Sequence, residues 1–66
     1  MEVDGVKLRQ LREDRAYSAR TLGELAGIHY QTILRIEGGQ PEAQPRTIRR
    51  LAEALGVEPR ELRREQ

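Results

Sequence analysis

Apolar positions along the chain fall into short runs separated by glycine, proline and small polar residues, and each run predicts a helix. Leu8 and Leu11, three residues apart, share a helix face, although Val3, Val6 and Arg12 do not complete a regular stripe with them. A first helix is expected from near Asp4 or Gly5 to about Arg15, with Asp4 as its N-cap. After a break at Ala16–Tyr17, Ser18 suits the N-cap of a second helix running to Ala26, with Leu22, Leu25 and Ala26 on its buried face. Gly27 ends it, as glycine does where a helix must stop in a left-handed residue. Ile28 falls in a tight turn. A third helix begins at about Tyr30, turns Ile33 and Ile36 inward, and ends at Gly38–Gly39. Residues 38–44 read as a loop. Pro45 fits the first position of a fourth helix, in which Ile48, Leu51, Ala52 and Leu55 recur at i, i+3, i+4 and i+7. Gly56 stops that helix. Pro59 then opens a short fifth helix over about 58–64, anchored by Leu62 and fraying after Arg63. Five helices without a strand pattern make an all-α domain.

Composition narrows the possibilities. A chain of 66 residues allows one domain, residues 1–66, with one modest core. That core is aliphatic, since the chain has two tyrosines and no phenylalanine or tryptophan. Without cysteine there is no disulfide and no thiolate metal site. A single histidine, His29, argues against a histidine-built metal site or a histidine-based catalytic triad. No apolar run approaches the ~20 residues of a membrane span, and the N-terminus lacks a signal-peptide pattern, so a soluble, cytoplasmic protein is expected.

The net charge of +1 does not by itself point to nucleic acid, but the distribution is more telling. Lys7, Arg9, Arg12 and Arg15 are offset by Glu2, Asp4, Glu13 and Asp14, whereas Arg46, Arg49 and Arg50 face only Glu42 between residues 38 and 50. Every basic residue except Lys7 is arginine, whose planar fork suits phosphate and guanine. A general bias toward arginine would give the same count. Arg49, Arg50, Arg60, Arg63 and Arg64 interleave with Glu53, Glu58, Glu61 and Glu65, which reads mostly as a solvated salt-bridge face.

The informative stretch is Ser18–Glu37, a helix, a turn carrying Gly27, and a second helix of similar length. Gly23 and Ala26 are small where two such helices would cross. Ile28 and Ile33 supply the apolar residues needed in the turn and midway along the second helix. The order Leu11-Arg12, Ser18, Leu22-Gly23, Gly27-Ile28-His29, Thr32-Ile33, Ile36-Glu37, Gly39, Thr47-Ile48, Leu51-Ala52 and Leu55-Gly56-Val57 resembles the Cro and phage-repressor type of helix-turn-helix, the XRE family. The resemblance covers about residues 6–62. It implies a five-helix, lambda-repressor-like DNA-binding domain. The chain departs from the family pattern at Ala19, where a glutamine that helps hold phosphate is often found. It departs also at Gly23, usually alanine, at His29, usually serine, and at Glu42 in the loop.

The resemblance directs the start of the third helix at base edges, which selects Tyr30, Gln31 and Arg35 as base contacts. Gln31 can pair with adenine and Arg35 with guanine, and Tyr30 can meet a thymine methyl or a phosphate. Leu34 is expected to be partly packed. Backbone or minor-groove contacts fall to Ser18, Arg20, Gln40, Arg46 and Thr47, with helix N-terminal amides beside them. Arg46 follows Pro45, where some phage-repressor relatives send an arginine into the minor groove; a plain surface arginine is the alternative. Arg12 and Glu37 occupy positions that in the family form a structural ion pair. His29 reads as an exposed turn residue. The implied function is sequence-specific binding of double-stranded DNA as a transcriptional regulator. It would be a repressor acting as a homodimer on a pseudo-palindromic operator, with apolar groups around Val57–Leu62 as the contact between copies. The alternative is a protein-binding module of the same fold, an antitoxin or an adaptor. No nucleophile–base pair, metal constellation or phosphate loop suggests an enzyme, and no cofactor or small-molecule effector is indicated.

Overall fold

Local capping chemistry sets the helix boundaries. The computed structural model describes residues 1–64 and has four α-helices: α1 (Gly5–Asp14), α2 (Ala19–Ala26), α3 (Tyr30–Glu37) and α4 (Pro45–Leu55). The Asp4 carboxylate accepts from the Lys7 amide at 3.1 Å, and the Ser18 hydroxyl accepts from the Thr21 amide at 3.0 Å. Gly27 and Gly56 close α2 and α4 in left-handed conformations, with φ of 71° and 73°. Pro45 occupies the first turn of α4, where its missing N–H is not needed.

The expected fifth helix is instead a single 3₁₀ turn, Pro59–Glu61. The chain beyond Leu62 has another use, because it pairs with the N-terminal segment. The Arg64 amide donates to the Glu2 carbonyl at 3.0 Å, and the Asp4 amide donates to the Leu62 carbonyl at 2.7 Å. On its other edge the N-terminal segment pairs with the loop before α4, where the Val3 amide meets the Pro41 carbonyl at 2.8 Å. These bonds form isolated bridges, Glu2 with Glu42 and Val3 with Arg63, which no strand pattern in the sequence announced. They lower Val3 into the core.

That core is built from Leu8, Leu22, Ile33, Ile36, Ile48, Leu51 and Leu55, joined by Val3 and Leu62, all essentially without solvent contact. α2 packs on α3 and α4, α1 packs on α3, and the 3₁₀ turn closes on α4. Two expectations fail here. Leu25 is 56% exposed, because Leu22, Gly23 and Ala26 already form the buried side of α2. Leu62 is fully buried within the protomer, and Val57 packs partly against the core, so Val57–Leu62 does not present the exposed apolar groups expected there. The expected salt-bridge face is also largely absent among the described residues. The Glu61 carboxylate accepts from the Glu58 amide at 2.9 Å, Arg50 donates to the Gly27 carbonyl at 3.3 Å, and Arg64 pairs with Glu2. Glu65 lies outside the described residues.

The start of α1 meets the end of α3 so closely that only glycine fits. A Cβ on Gly5 would collide with the Ile36 carbonyl oxygen, and that atom belongs to backbone that cannot swing aside. Gly5→Ala is therefore expected to destabilise the fold by about 1–3 kcal/mol, despite the better helix propensity of alanine. Val6→Ala, one residue on and 69% exposed, is expected to stay within about 0.5 kcal/mol of the parent. Urea unfolding of the two variants checks the contrast.

Candidate nucleic-acid interface

The turn between α2 and α3 works through close backbone approach. A Cβ on Gly23 would lie 2.6 Å from the Ile28 carbonyl oxygen and 3.2 Å from the Tyr30 amide nitrogen. The Ile28 amide closes the turn by donating to the Gly23 carbonyl at 2.8 Å. His29 then caps α3, its Nδ1 accepting from the Gln31 amide at 3.1 Å. That role replaces the serine of the family pattern and gives the ring a structural task. The His29 ring also stacks on Tyr30, with centroids 4.9 Å apart.

Tyr30 is held from α2 as well. The Arg20 guanidinium lies 4.2 Å from the Tyr30 ring centroid and donates to its hydroxyl at 3.2 Å. Arg20 and Tyr30, expected to serve phosphate and base separately, thus form one unit bridging the starts of α2 and α3. Their separation in sequence hid this pairing.

The inward side of α3 carries Ile33 and Ile36, and the outward side carries Gln31, Leu34 and Arg35. Leu34, expected to be partly packed, is 48% exposed. Among the described residues the Gln31 side chain has no hydrogen-bond partner, but Arg35 has two. Its Nη1 donates to the Gln40 carbonyl at 3.3 Å and its Nη2 to the Glu42 carbonyl at 3.2 Å. Arg35 therefore spans from α3 to the loop before α4. Thr32, Arg35, Gln44, Pro45 and Thr47 line one open hollow between α3 and the start of α4. No side chain caps α4 at Gln44. Arg46 is exposed beside those first-turn amides, and Thr47 is half-buried. Gln40 is exposed, and the Ser18 hydroxyl is used by Thr21, accepting from its amide and donating to its Oγ1 at 3.0 Å.

The far end of α3 is fixed by an ion pair. Arg12 Nε donates to Glu37 Oε2 at 2.8 Å and Nη2 to Oε1 at 2.9 Å, a two-point contact. Nη1 donates to the Tyr17 carbonyl at 2.9 Å. The two side chains are only 13% and 7% exposed. The hydrogen bonds to Glu37 hold the Arg12 guanidinium above its ordinary pKa against the opposing effect of burial, with the charges of Glu37 and Glu13 adding to the rise.

This fold and this pair of crossed helices define a helix-turn-helix domain of the Cro and phage-repressor type. Residues 5–66 match the profile of the helix-turn-helix domain family, and the chain belongs to that family. It is 41% identical over 58 residues to the HTH-type transcriptional repressor RghR of Bacillus subtilis (strain 168), a match covering 86% of this chain and 43% of the repressor. The chain thus spans less than half the length of that relative. The restriction-modification controller protein C.AhdI from Aeromonas hydrophila superposes with a TM-score of 0.81 at 38% identity, over 86% of each chain. A hydroxyethylphosphonate dioxygenase, in its Y98F form, superposes with a TM-score of 0.85 at 34% identity, over 98% of this chain but 14% of the enzyme. That likeness concerns one small part of the dioxygenase.

Removing one partner of a largely buried pair strands the other charge. Glu37→Ala is expected to cost on the order of 3 kcal/mol, and Arg12→Lys to lose much of the same amount because lysine lacks the fork. Denaturant unfolding of both variants measures this. A loss below about 1 kcal/mol for Glu37→Ala would mark the pair as no better than a solvated one.

Proposed function

We propose that the chain binds double-stranded DNA as a transcriptional regulator, a repressor whose α3 lies in the major groove. The outward side of α3 carries this reading: Gln31 is exposed, and among the described residues its side chain has no hydrogen-bond partner, on a helix whose opposite side is locked in the core. A glutamine can pair with both N6 and N7 of adenine, and the neighbouring Leu34 and Tyr30 can meet thymine methyls. Arg35 reaches a guanine only by giving up its two carbonyls on the loop. Phosphates fit the first-turn amides of Ala19 and Arg20 in α2 and of Arg46 and Thr47 in α4, with the side chains of Arg20, Gln40, Arg46 and Thr47 beside them. Arg46 adds positive charge there, for a phosphate or for the minor groove.

One such module touches few base pairs, so useful affinity calls for a homodimer on a pseudo-palindromic operator. The similarity to a transcriptional repressor and to a controller protein supports the regulatory reading. Among the described residues no helix is long and apolar enough to cross a membrane.

Selection of bound duplexes from a random pool tests the proposal, and a two-fold symmetric site is expected. On that site Gln31→Ala should lose about 1–3 kcal/mol of discrimination at one base pair of each half. Arg46→Ala should weaken all sequences evenly and lower the slope of log affinity against log salt by about one. A pool in which the folded protein enriches nothing would overturn the reading and turn attention to a protein partner.

A further inference from the structure

We propose that Arg35 is a positioning residue that sets the loop between α3 and α4, and so the distance from the reading helix to the phosphate-facing start of α4. The inference rests on the DNA-binding reading above and deepens it.

The loop begins at Gly38 and Gly39, and Gly39 takes a φ of 110°, so its first residues bring no side-chain stiffness of their own. It is fastened on two sides. On one, the extended N-terminal segment supplies backbone bonds, Val3 amide to Pro41 carbonyl at 2.8 Å and Ala43 amide to Met1 carbonyl at 2.9 Å. On the other, the Arg35 guanidinium bridges the Gln40 and Glu42 carbonyls at 3.3 and 3.2 Å. The first loop residues also bond α3 through backbone, the Gly39 amide to the Ile36 carbonyl at 3.2 Å and the Gln40 amide to the Arg35 carbonyl at 3.1 Å, and the Arg35 guanidinium carries that tie onward to Glu42. A planar fork with several donors can span two carbonyls two residues apart, which an ammonium cannot do with the same geometry. The loop leads straight into Gln44, Pro45 and Arg46, where α4 begins without a side-chain cap. Arg35 thus ties the helix proposed to read bases to the helix end proposed to meet phosphate.

Two arms separate this proposal from the one beneath it. Amide hydrogen exchange in the DNA-free protein needs no duplex. Arg35→Ala is expected to speed exchange at Gln40 and Ala43, whose amides are bonded in the parent, while leaving Leu51 and Leu55, inside α4, as protected as in the parent. Gln31→Ala should leave the loop unchanged. On the selected duplex, Arg35→Ala should lower affinity about three- to tenfold for the best site and for its single-base variants alike. Base preference is kept, and Arg35→Lys should not restore affinity. Unchanged loop exchange in Arg35→Ala, loss of preference at one base pair, or full rescue by Arg35→Lys would each overturn the proposal. If the parent binds no duplex, the DNA-binding reading fails, and the exchange arm alone decides whether Arg35 sets the loop.

Discussion

The orientation of α3 depends on the two-point contact between Arg12 and Glu37. A carboxylate in the last turn of a helix opposes the helix dipole, and a largely buried one also loses its water. Glu37 is stable there because the Arg12 guanidinium meets both of its oxygens while bonding the Tyr17 carbonyl with its remaining edge. One side chain thereby joins α1, the α1–α2 connection and the end of α3. The other end of α3 is held by the His29 cap and the close Gly23–Ile28 turn. With both ends fixed and Ile33 and Ile36 buried, the helix has little freedom except in the side chains it turns outward.

Those outward side chains divide by their engagement. Gln31 and Leu34 are exposed, Tyr30 is coupled to Arg20, and Arg35 is committed to the loop. A surface that meets a nucleic acid needs some groups held in place and others available, since ordering long side chains on binding costs entropy. Contacts from α2, from the loop and from α1 hold α3 without occupying Gln31. The same economy extends to α4, where Arg50 bonds the Gly27 carbonyl at the end of α2 and fixes the turn from behind.

Much of this was legible in the sequence, because helix ends announce themselves chemically. Asp4, Ser18, Gly27, Pro45 and Gly56 each mark a boundary by a capping bond, a left-handed residue or a missing donor. The Ile48–Leu55 stripe and the small residues at Gly23 and Ala26 likewise carry their packing in their spacing. The placement of Arg12 against Glu37 came from the family pattern. What escaped was governed by contacts between distant backbone atoms. The N-terminal segment pairs through amides and carbonyls that leave no side-chain signature. That pairing also claims the residues after Leu62 and leaves a single 3₁₀ turn where a helix was expected. Ala16 adopts a φ of 58° at the end of α1, a place where sequence patterns look for glycine. Leu25 misled because spacing places it near Leu22 without saying that a helix this short buries only one narrow side. The Arg35 tether needed the loop carbonyls, whose direction no residue type encodes.

In the proposed mode of binding, α3, flanked by the starts of α2 and α4, is the surface that meets DNA. Amide chemical-shift mapping on addition of a selected duplex tests it most directly. The largest changes are expected at Tyr30–Arg35, at Ala19 and Arg20, and at Arg46 and Thr47, with Leu8 and Leu55 little affected. Changes centred instead on the outer side of α1 around Val6 and Arg9, with Gln31 and Arg46 unmoved, would contradict it.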